Sequence, residues 1–143
     1  MSLLTAAGDQ LRRAHGLPAV LDAACDAFED ILAIIGAYED TTTRTATAIV
    51  FLLAATQAAN GRDAALFAPS LPPRSLRPRP TTEPAEQADT GDITTAVAGL
   101  SWLLASRLAA TATTAATAAD RAACHDAARH AGKVVDLLTE ADP

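Results

Sequence analysis

The sequence predicts an all-α protein, namely an antiparallel bundle of four main helices with a short N-terminal helix and a Pro-rich linker between its two halves. Apolar residues recur at alternating spacings of three and four, which places them on one face of a helix. Hydrophobic residues make up 50% of the chain but aromatic residues only 3%, and this Ala-rich composition favours helices over strands. The 143 residues suit a single domain, 1–143, with one hydrophobic core.

A short helix at about 2–14 and a long core helix at about 18–40 open the predicted bundle. Gly16 offers a stop for the first helix, and Pro18 suits the first turn of the second. Further apolar residues widen the main stripe of the core helix, so we expect it to face more than one neighbour. The predicted buried stripe is Leu17, Leu21, Ala24, Phe28, Ile31, Ile35 and Tyr38.

The third predicted helix, at about 44–60, is apolar almost all round, which indicates a position at the centre of the bundle. Asn60 and Gly61 are expected to end it, and 63–67 adds a short turn. Its strongly apolar part is only about ten residues long, whereas a membrane span needs ~20. We therefore interpret this helix as a buried core helix.

A linker is predicted at 69–91, where six of the eight prolines of the chain fall. Pro, Ser, Thr and Arg in this density favour an extended or disordered segment. Within it, Pro69, Pro72 and Arg74 fit the pattern P-x-x-P-x-R, which docks polyproline helices into aromatic grooves. Partner recognition through these residues and a plain tether are both open, and we expect the tether.

Two helices are predicted after the linker, at about 92–110 and 117–140. Their apolar stripes do not continue one another, so we expect a break between Thr111 and Thr117. Thr117 and Asp120 resemble a capping box with Asp in place of Glu. The predicted stripes are Ile93, Val97, Leu100, Leu104 and Leu108 on the first helix, and Cys124, Ala128, Ala131, Val135 and Leu138 on the second.

One shared core is expected to join these helices. Because so many of the residues are Ala, the core should be thin and the helices should approach closely over small side chains. The residues expected to be buried together are Phe28, Ile31, Ile35, Ile49, Leu52, Leu53, Leu100, Leu104, Val135 and Leu138.

The leading functional hypothesis is a non-catalytic interaction or scaffold protein that binds a protein partner or forms a homo-oligomer. Trp102, Leu103 and Val134 lie beside their helical stripes rather than on them, so we expect apolar side chains at the surface. Exposed apolar area of this kind usually marks a protein interface. Trp102 and Leu103, together with the Pro-rich segment at 69–74, are the candidate partner-binding residues.

The alternative hypothesis is a metal-dependent enzyme or a metal-binding helical bundle. Carboxylates recur one turn apart on the helix at 18–40, and imidazoles accompany a carboxylate on the helix at 117–140. They offer oxygen and nitrogen ligands for a divalent ion if these two helices are neighbours and turn these faces inward. Otherwise the same residues form ordinary solvated faces. The candidate ligands are Asp22, Asp26, Glu29, His125, Asp126 and His130.

Charge and motif content argue against several other functions. A net charge of −6 opposes binding to nucleic-acid phosphates. The sequence contains no nucleophile elbow, phosphate-cradling Gly loop or catalytic triad order, so we expect no catalytic residue and no cofactor. Cys25 and Cys124 are expected to be buried free thiols. With neither a signal-peptide pattern nor a membrane span of ~20 residues, we expect a cytoplasmic protein that binds no membrane.

Overall fold

The structure, a computed structural model, describes residues 3–39, 45–74 and 90–140. Regular secondary structure within these ranges is entirely α-helical, which confirms the predicted fold class. Most of the predicted linker, 75–89, lies outside the described residues. The helices of the described chain are α1 (Leu3–Arg13), α2 (Leu17–Glu39), α3 (Thr45–Leu66), α4 (Thr90–Ala112) and α5 (Ala118–Glu140).

The four long helices contact one another in a closed ring. Helix α2 packs against α3 and α4, and α5 packs against the same two helices. Helix α1 lies across α2 and α4. Consequently α2 and α5 are joined mainly through helices that they share as neighbours, and so are α3 and α4.

The corner between α1 and α2 forms where the sequence predicts it. Gly16 has a φ of 86°, a left-handed conformation that glycine adopts without steric cost. Its carbonyl accepts a hydrogen bond from the Val20 amide at 3.0 Å, so it also begins α2, with Pro18 in the first turn. At the end of α1, the Arg107 guanidinium of α4 donates to the Ala14 carbonyl at 2.5 Å. The corner is therefore fixed by backbone geometry and by a side chain from α4.

Helix α2 buries the face that its 4–3 spacing predicts. Leu21, Ala24, Phe28, Ile31 and Ile35 are all buried, and the two terminal members of the stripe are partly buried against the core. These large, fully enclosed side chains make α2 the principal source of core volume.

The expected stop at Gly61 is wrong, because α3 continues through this residue to Leu66. Gly61 is buried, and a Cβ atom at this position would lie 2.6 Å from the ring of Phe28, far inside van der Waals contact. The glycine therefore serves the close approach of α2 to α3 rather than a helix end. The helix at 44–60 and the turn at 63–67 are accordingly one helix.

The predicted central position of α3 is also wrong. Ile49, Leu52 and Leu53, expected in the core, are 52%, 59% and 47% exposed. The residues that α3 buries are small apart from the first, and they too follow a spacing of three and four. Large side chains there would hold α3 away from α2 and α5, so they point outward instead. The buried series is Phe51, Ala54, Ala58, Gly61, Ala65 and Ala68, the last just beyond the helix.

Helices α4 and α5 are separated by residues 113–117. One half of the predicted capping box is present, because the Asp120 amide donates to the Thr117 hydroxyl oxygen at 3.2 Å. The Thr117 hydroxyl in turn donates to the Asp120 carboxylate at 2.9 Å. This pair satisfies backbone and side-chain groups at the start of α5.

The buried face of α5 is rotated slightly from the predicted one. Val134 is fully buried, whereas Val135, expected in the core, is only half-buried. Similarly, Ala127 is fully buried and Ala128 only partly. Asp120, which a pattern based on apolar residues leaves out, is buried as well and belongs to the observed series. The buried series is Asp120, Ala123, Cys124, Ala127, Ala131, Val134 and Leu138.

Candidate interaction surface

Helix α3 presents one continuous exposed face to solvent, which we call the α3 surface. At 100° per residue its members fall within an arc of about 140°. Phe67 belongs to it, because its amide donates to the carbonyls of Asp63 and Ala64 and carries the helical turn one residue further. The α3 surface consists of Ile49, Leu52, Leu53, Thr56, Asn60, Asp63, Leu66 and Phe67, all exposed.

The α3 surface concentrates the exposed large apolar side chains of the described chain. Five of the six such side chains lie on it, and Phe67 is 84% exposed. From Thr45 to Gly61 the helix carries no charged residue, and the first charges are an ion pair of Arg62 with Asp63 at 3.2 Å. A large apolar face whose only charged member, Asp63, is paired with a neighbouring arginine is typical of a surface that another protein covers.

The apolar residues of the α3 surface form two clusters separated by a polar middle. Ile49, Leu52 and Leu53 make up the first cluster, and Leu66 and Phe67 the second. The centres of the clusters are about 15 residues apart, which at ~1.5 Å per residue is roughly 23 Å along the helix. The polar middle contains Thr56 and Asn60, then Asp63. The surface is therefore long and narrow, as suits contact with another helix.

The structure separates the predicted partner-binding residues Trp102 and Leu103. Trp102 is 63% exposed, as expected for a residue beside its stripe. Leu103 instead packs partly against the core and lines a shallow groove between α1 and α4 with Leu4 and Leu100. Trp102 is the sixth exposed large apolar residue of the described chain, and it stands on α4, which packs on the far side of α2 and α5 from α3.

The first part of the predicted linker is bound to the helices rather than acting as a free tether. The Ser70 amide and hydroxyl donate to the Asp120 carboxylate at 2.9 and 2.6 Å. Leu71 packs against the core. The Arg74 guanidinium donates to the carboxylates of Asp22 at 2.8 Å and Asp26 at 2.5 Å. We call residues 69–74 the clasp, because they join α2 to α5.

The clasp includes the proposed partner ligand Pro69, Pro72 and Arg74. Pro69 is exposed and Pro72 half-buried. In a P-x-x-P-x-R ligand the arginine pairs with an acidic group of the partner. Here the guanidinium is already engaged by two carboxylates of its own chain, so partner binding in this mode requires the release of Arg74.

Asp120 lies where the clasp meets α5. The hydroxyl and the amide of Ser70 hold the pKa of its carboxyl below the ordinary value, against the opposing effect of burial, and the Thr117 hydroxyl adds to the lowering. A carboxylate that accepts several hydrogen bonds favours its ionised form. The buried charge is therefore compensated by hydrogen bonds from two separate segments.

The structure does not bring the six candidate metal ligands together. Asp22 and Asp26 pair with Arg74, while His125 and Asp126 are exposed on α5. His130 instead lies with its Nδ1 atom 2.8 Å from Gln57 Oε1 of α3. Within the described ranges no group of three His, Cys, Asp or Glu side chains is placed to hold a metal ion. The reason is topological. The six candidates, Glu29 included, lie on α2 and α5, and these two helices pack against α3 and α4 rather than mainly against each other.

The two buried cysteines and the part-buried His130 are in their neutral forms near neutral pH. Burial raises the pKa of the Cys25 thiol to about 11 and also raises the pKa of Cys124. Burial, with the nearby charges of Lys133 and Arg129, lowers the pKa of His130. Nucleophilic attack and metal ligation require a thiolate. The two cysteines therefore act as small apolar core residues, as the sequence predicts.

One helix of the described chain, Gly91–Ala112, is long and apolar enough to cross a membrane by length and composition alone. This helix is α4, whereas the sequence raises the question of a membrane span only for the segment that forms α3. In the structure Val97, Leu100, Leu104 and Leu108 of this helix are buried among the other helices. The same length and composition also occur in core helices that never meet a membrane.

No family model, curated protein or solved structure matches this chain. The indications of its function therefore come from its own exposed residues. Sequence reasoning assigned Ile49, Leu52 and Leu53 to the core and so missed the α3 surface. The signal that identifies it is the 4–3 spacing of the small residues on the opposite face, beginning with Ala54, Ala58 and Gly61.

Proposed function

We propose that this chain is a non-catalytic helical interaction protein and that the α3 surface is the site through which it binds another protein. The observation that carries this proposal is the concentration of five exposed large apolar side chains on one helix face. At their exposed fractions these side chains present roughly 500 Å² of surface, at the upper end of what the largest patch of a typical monomer shows.

The size of the α3 surface is sufficient for specific binding. Covering ~500 Å² of it with a similar apolar area of a partner removes about 1,000 Å² from water, which is close to the lower limit for a specific protein interface.

The rest of the proposal concerns the arrangement of the helices, the cellular location and the type of partner. We propose that α2, α3, α4 and α5 form an antiparallel four-helix bundle, because short connections at 40–44 and 113–117 join consecutive helices that also pack together. The Pro-rich linker then bridges the two helical hairpins. We further propose that the chain acts in the cytoplasm and on protein rather than nucleic acid, whose phosphates a net charge of −6 repels.

Site-specific photo-crosslinking tests the proposed binding site. A benzoylphenylalanine placed at Leu66, in cells that naturally express the protein, should form protein adducts on illumination. The same probe at Arg129, whose side chain is 62% exposed on α5, is the matched control and should form none. Adding Leu53→Glu to the Leu66 variant should abolish the adducts, because a carboxylate placed in the apolar face opposes its burial. Failure to form adducts at Leu66 would contradict the proposal.

A further inference from the structure

The α3 surface is arranged symmetrically about its own midpoint, which lies between Ala59 and Asn60. Leu52 and Leu53 precede the midpoint, and Leu66 and Phe67 follow it at matching distances, with polar residues in the interval on both sides; Ile49 lies beyond this matched set. A surface with this symmetry is complementary to a second copy of itself, as an isologous twofold interface requires. The equidistant pairs are Leu52 with Phe67, Leu53 with Leu66, and Thr56 with Asp63.

We propose that the α3 surface binds the α3 surface of a second copy of this chain, with the two helices antiparallel across a twofold axis near Asn60. This inference rests on the proposed function and names its partner. In this register Leu52 and Leu53 of one copy lie against Leu66 and Phe67 of the other, and the contact occurs twice. Each apolar contact is centred roughly 10 Å from the axis, at ~1.5 Å per residue.

The polar middle of the α3 surface favours the antiparallel register over a parallel one. A parallel pair places Asp63 opposite Asp63 of the second copy, and facing like charges oppose association. The antiparallel pair places Asp63 opposite Thr56, whose hydroxyl donates to the Leu52 carbonyl at 3.0 Å within its own helix and must turn to donate to Asp63 instead. Asn60 meets its own equivalent at the axis, where one side-chain amide donates and the other accepts. The polar groups are therefore matched only when the helices run in opposite directions.

The area of the α3 surface fits what a stable dimer needs. Two copies bury about 1,000 Å² of apolar surface, before any contribution from the polar residues of the α3 surface. Specific, stable interfaces bury about 1,200–2,000 Å². The two chains each carry a net charge of −6, but α3 is free of charge from Thr45 to Gly61. Repulsion is therefore smallest where this pairing places the contact.

Disulfide trapping tests the register directly, because Cys25 and Cys124 are buried and do not compete. Asn60→Cys should cross-link to itself under mild oxidation, since the axis brings the two positions together. Leu53→Cys alone should not, because its two copies are roughly 20 Å apart along the helices. A mixture of Leu53→Cys and Leu66→Cys chains should form the mixed disulfide. Self-linking of Leu53→Cys without the mixed product would overturn the antiparallel register.

Sedimentation measurements test the association itself. Wild-type chain at high micromolar concentration should sediment as a dimer, and either Leu53→Glu or Phe67→Glu should reduce the apparent mass by half without loss of helical circular dichroism. Ala109→Glu, which also introduces a carboxylate at an exposed apolar residue of α4, is the control and should leave the dimer intact. A wild-type monomer would overturn the second-copy inference.

The two proposals fail in different ways. If the wild-type chain is a monomer but the probe at Leu66 still forms Leu53-dependent adducts with another protein, the second copy is the wrong partner and the proposed binding site stands. If the chain is a monomer and the probe forms no adduct, both proposals are wrong. A dimer unaffected by Leu53→Glu and Phe67→Glu would show that the chain self-associates through another face.

Discussion

Helices α2 and α3 are nearly equal in length, at 23 and 22 residues, and both are rich in apolar residues, yet they bury opposite kinds of side chain. Helix α2 encloses Phe28, Ile31 and Ile35, whereas α3 buries mainly Ala and Gly and exposes Leu52 and Leu53. Both arrangements follow from one requirement. Where a large side chain of one helix enters the interior, the facing helix must present small ones. Hydrophobicity predicts that a helix is packed, and residue size decides which face is packed.

Phe28 of α2 lies directly against Gly61 of α3. The Phe28 ring occupies the space that any side chain at Gly61 would need. Both residues are buried, and the buried Ala58 and Ala65 lie one turn to either side of the glycine on α3. In this contact the large side chain belongs to α2, and the absence of a side chain at Gly61 of α3 leaves room for it.

The largest expected effect comes from removing a core side chain of α2. Phe28→Ala should reduce the free energy of unfolding by ~3–5 kcal/mol, because it leaves a cavity beside Gly61. The matched change on α3, Leu53→Ala, should change it by less than ~0.5 kcal/mol in dilute protein, because Leu53 is about half exposed. Urea denaturation followed by circular dichroism measures both. Comparable losses from the two variants would show that α3 buries the opposite face.

A smaller effect is expected from adding a methyl group at the contact between the two helices. Gly61→Ala should destabilise the fold by ~1–3 kcal/mol, because its Cβ would lie 2.6 Å from the Phe28 ring. Gly36→Ala is the matched control on α2, since a Cβ there meets nothing within 4 Å. It should stabilise the helix by ~0.5–1 kcal/mol. If both variants have higher melting temperatures than the wild type, the close contact between Gly61 and Phe28 is refuted.

The same difference between α2 and α3 explains which buried helix faces could be predicted from the sequence. The stripe of α2 and the series Val97, Leu100, Leu104 and Leu108 of α4 could be predicted, because large apolar residues alternate there with polar ones. On α3 the large residues surround the helix, so periodicity identifies no inner face. The small residues do, but burial of Ala and Gly is a consequence of close packing, and a sequence pattern based on hydrophobicity gives them little weight.

The candidate site was harder to predict than the fold. Exposure of Trp102 was predictable, because it lies beside its stripe. The α3 surface was not, since its apolar residues were assigned to the core. The clasp depends on residues 50 positions apart, Ser70 and Asp120, and no local pattern announces such a pair. Only the Thr117–Asp120 capping box indicated that Asp120 has a structural role.

The smallest predicted effect concerns the bond between the clasp and α5, and it depends on pH. The pKa of Asp120 is lowered in the folded chain, chiefly by the Ser70 hydroxyl and amide. Its contribution to stability is therefore complete above the ordinary Asp pKa of ~3.9 and is lost as the pH falls through the lower folded value. Asp120→Asn should reduce the denaturation midpoint at pH 7 and converge with wild type in acid.

Ser70→Ala serves as the graded control for the Asp120 experiment. It removes the hydroxyl donor but keeps the backbone amide of residue 70, so its difference from wild type should be smaller and should shrink over the same acid range. Denaturation midpoints measured from neutral to strongly acidic pH compare the three proteins. A wild-type advantage over Asp120→Asn that persists unchanged in acid would rule out the ionised clasp.

The clasp also determines where the polypeptide tolerates added length. The Ser70–Asp120 bond closes a loop of 50 residues that contains 75–89. The segment between Arg74 and α4 is 15 residues long, and because loop-closure entropy grows only logarithmically, inserting about 15 residues within 75–89 raises its cost by roughly 0.6 kcal/mol. Insertions there leave both ends of the loop anchored, at Arg74 on one side and α4 on the other. An affinity tag or an entire second domain can therefore be accommodated within 75–89, with the helices and the α3 surface unchanged.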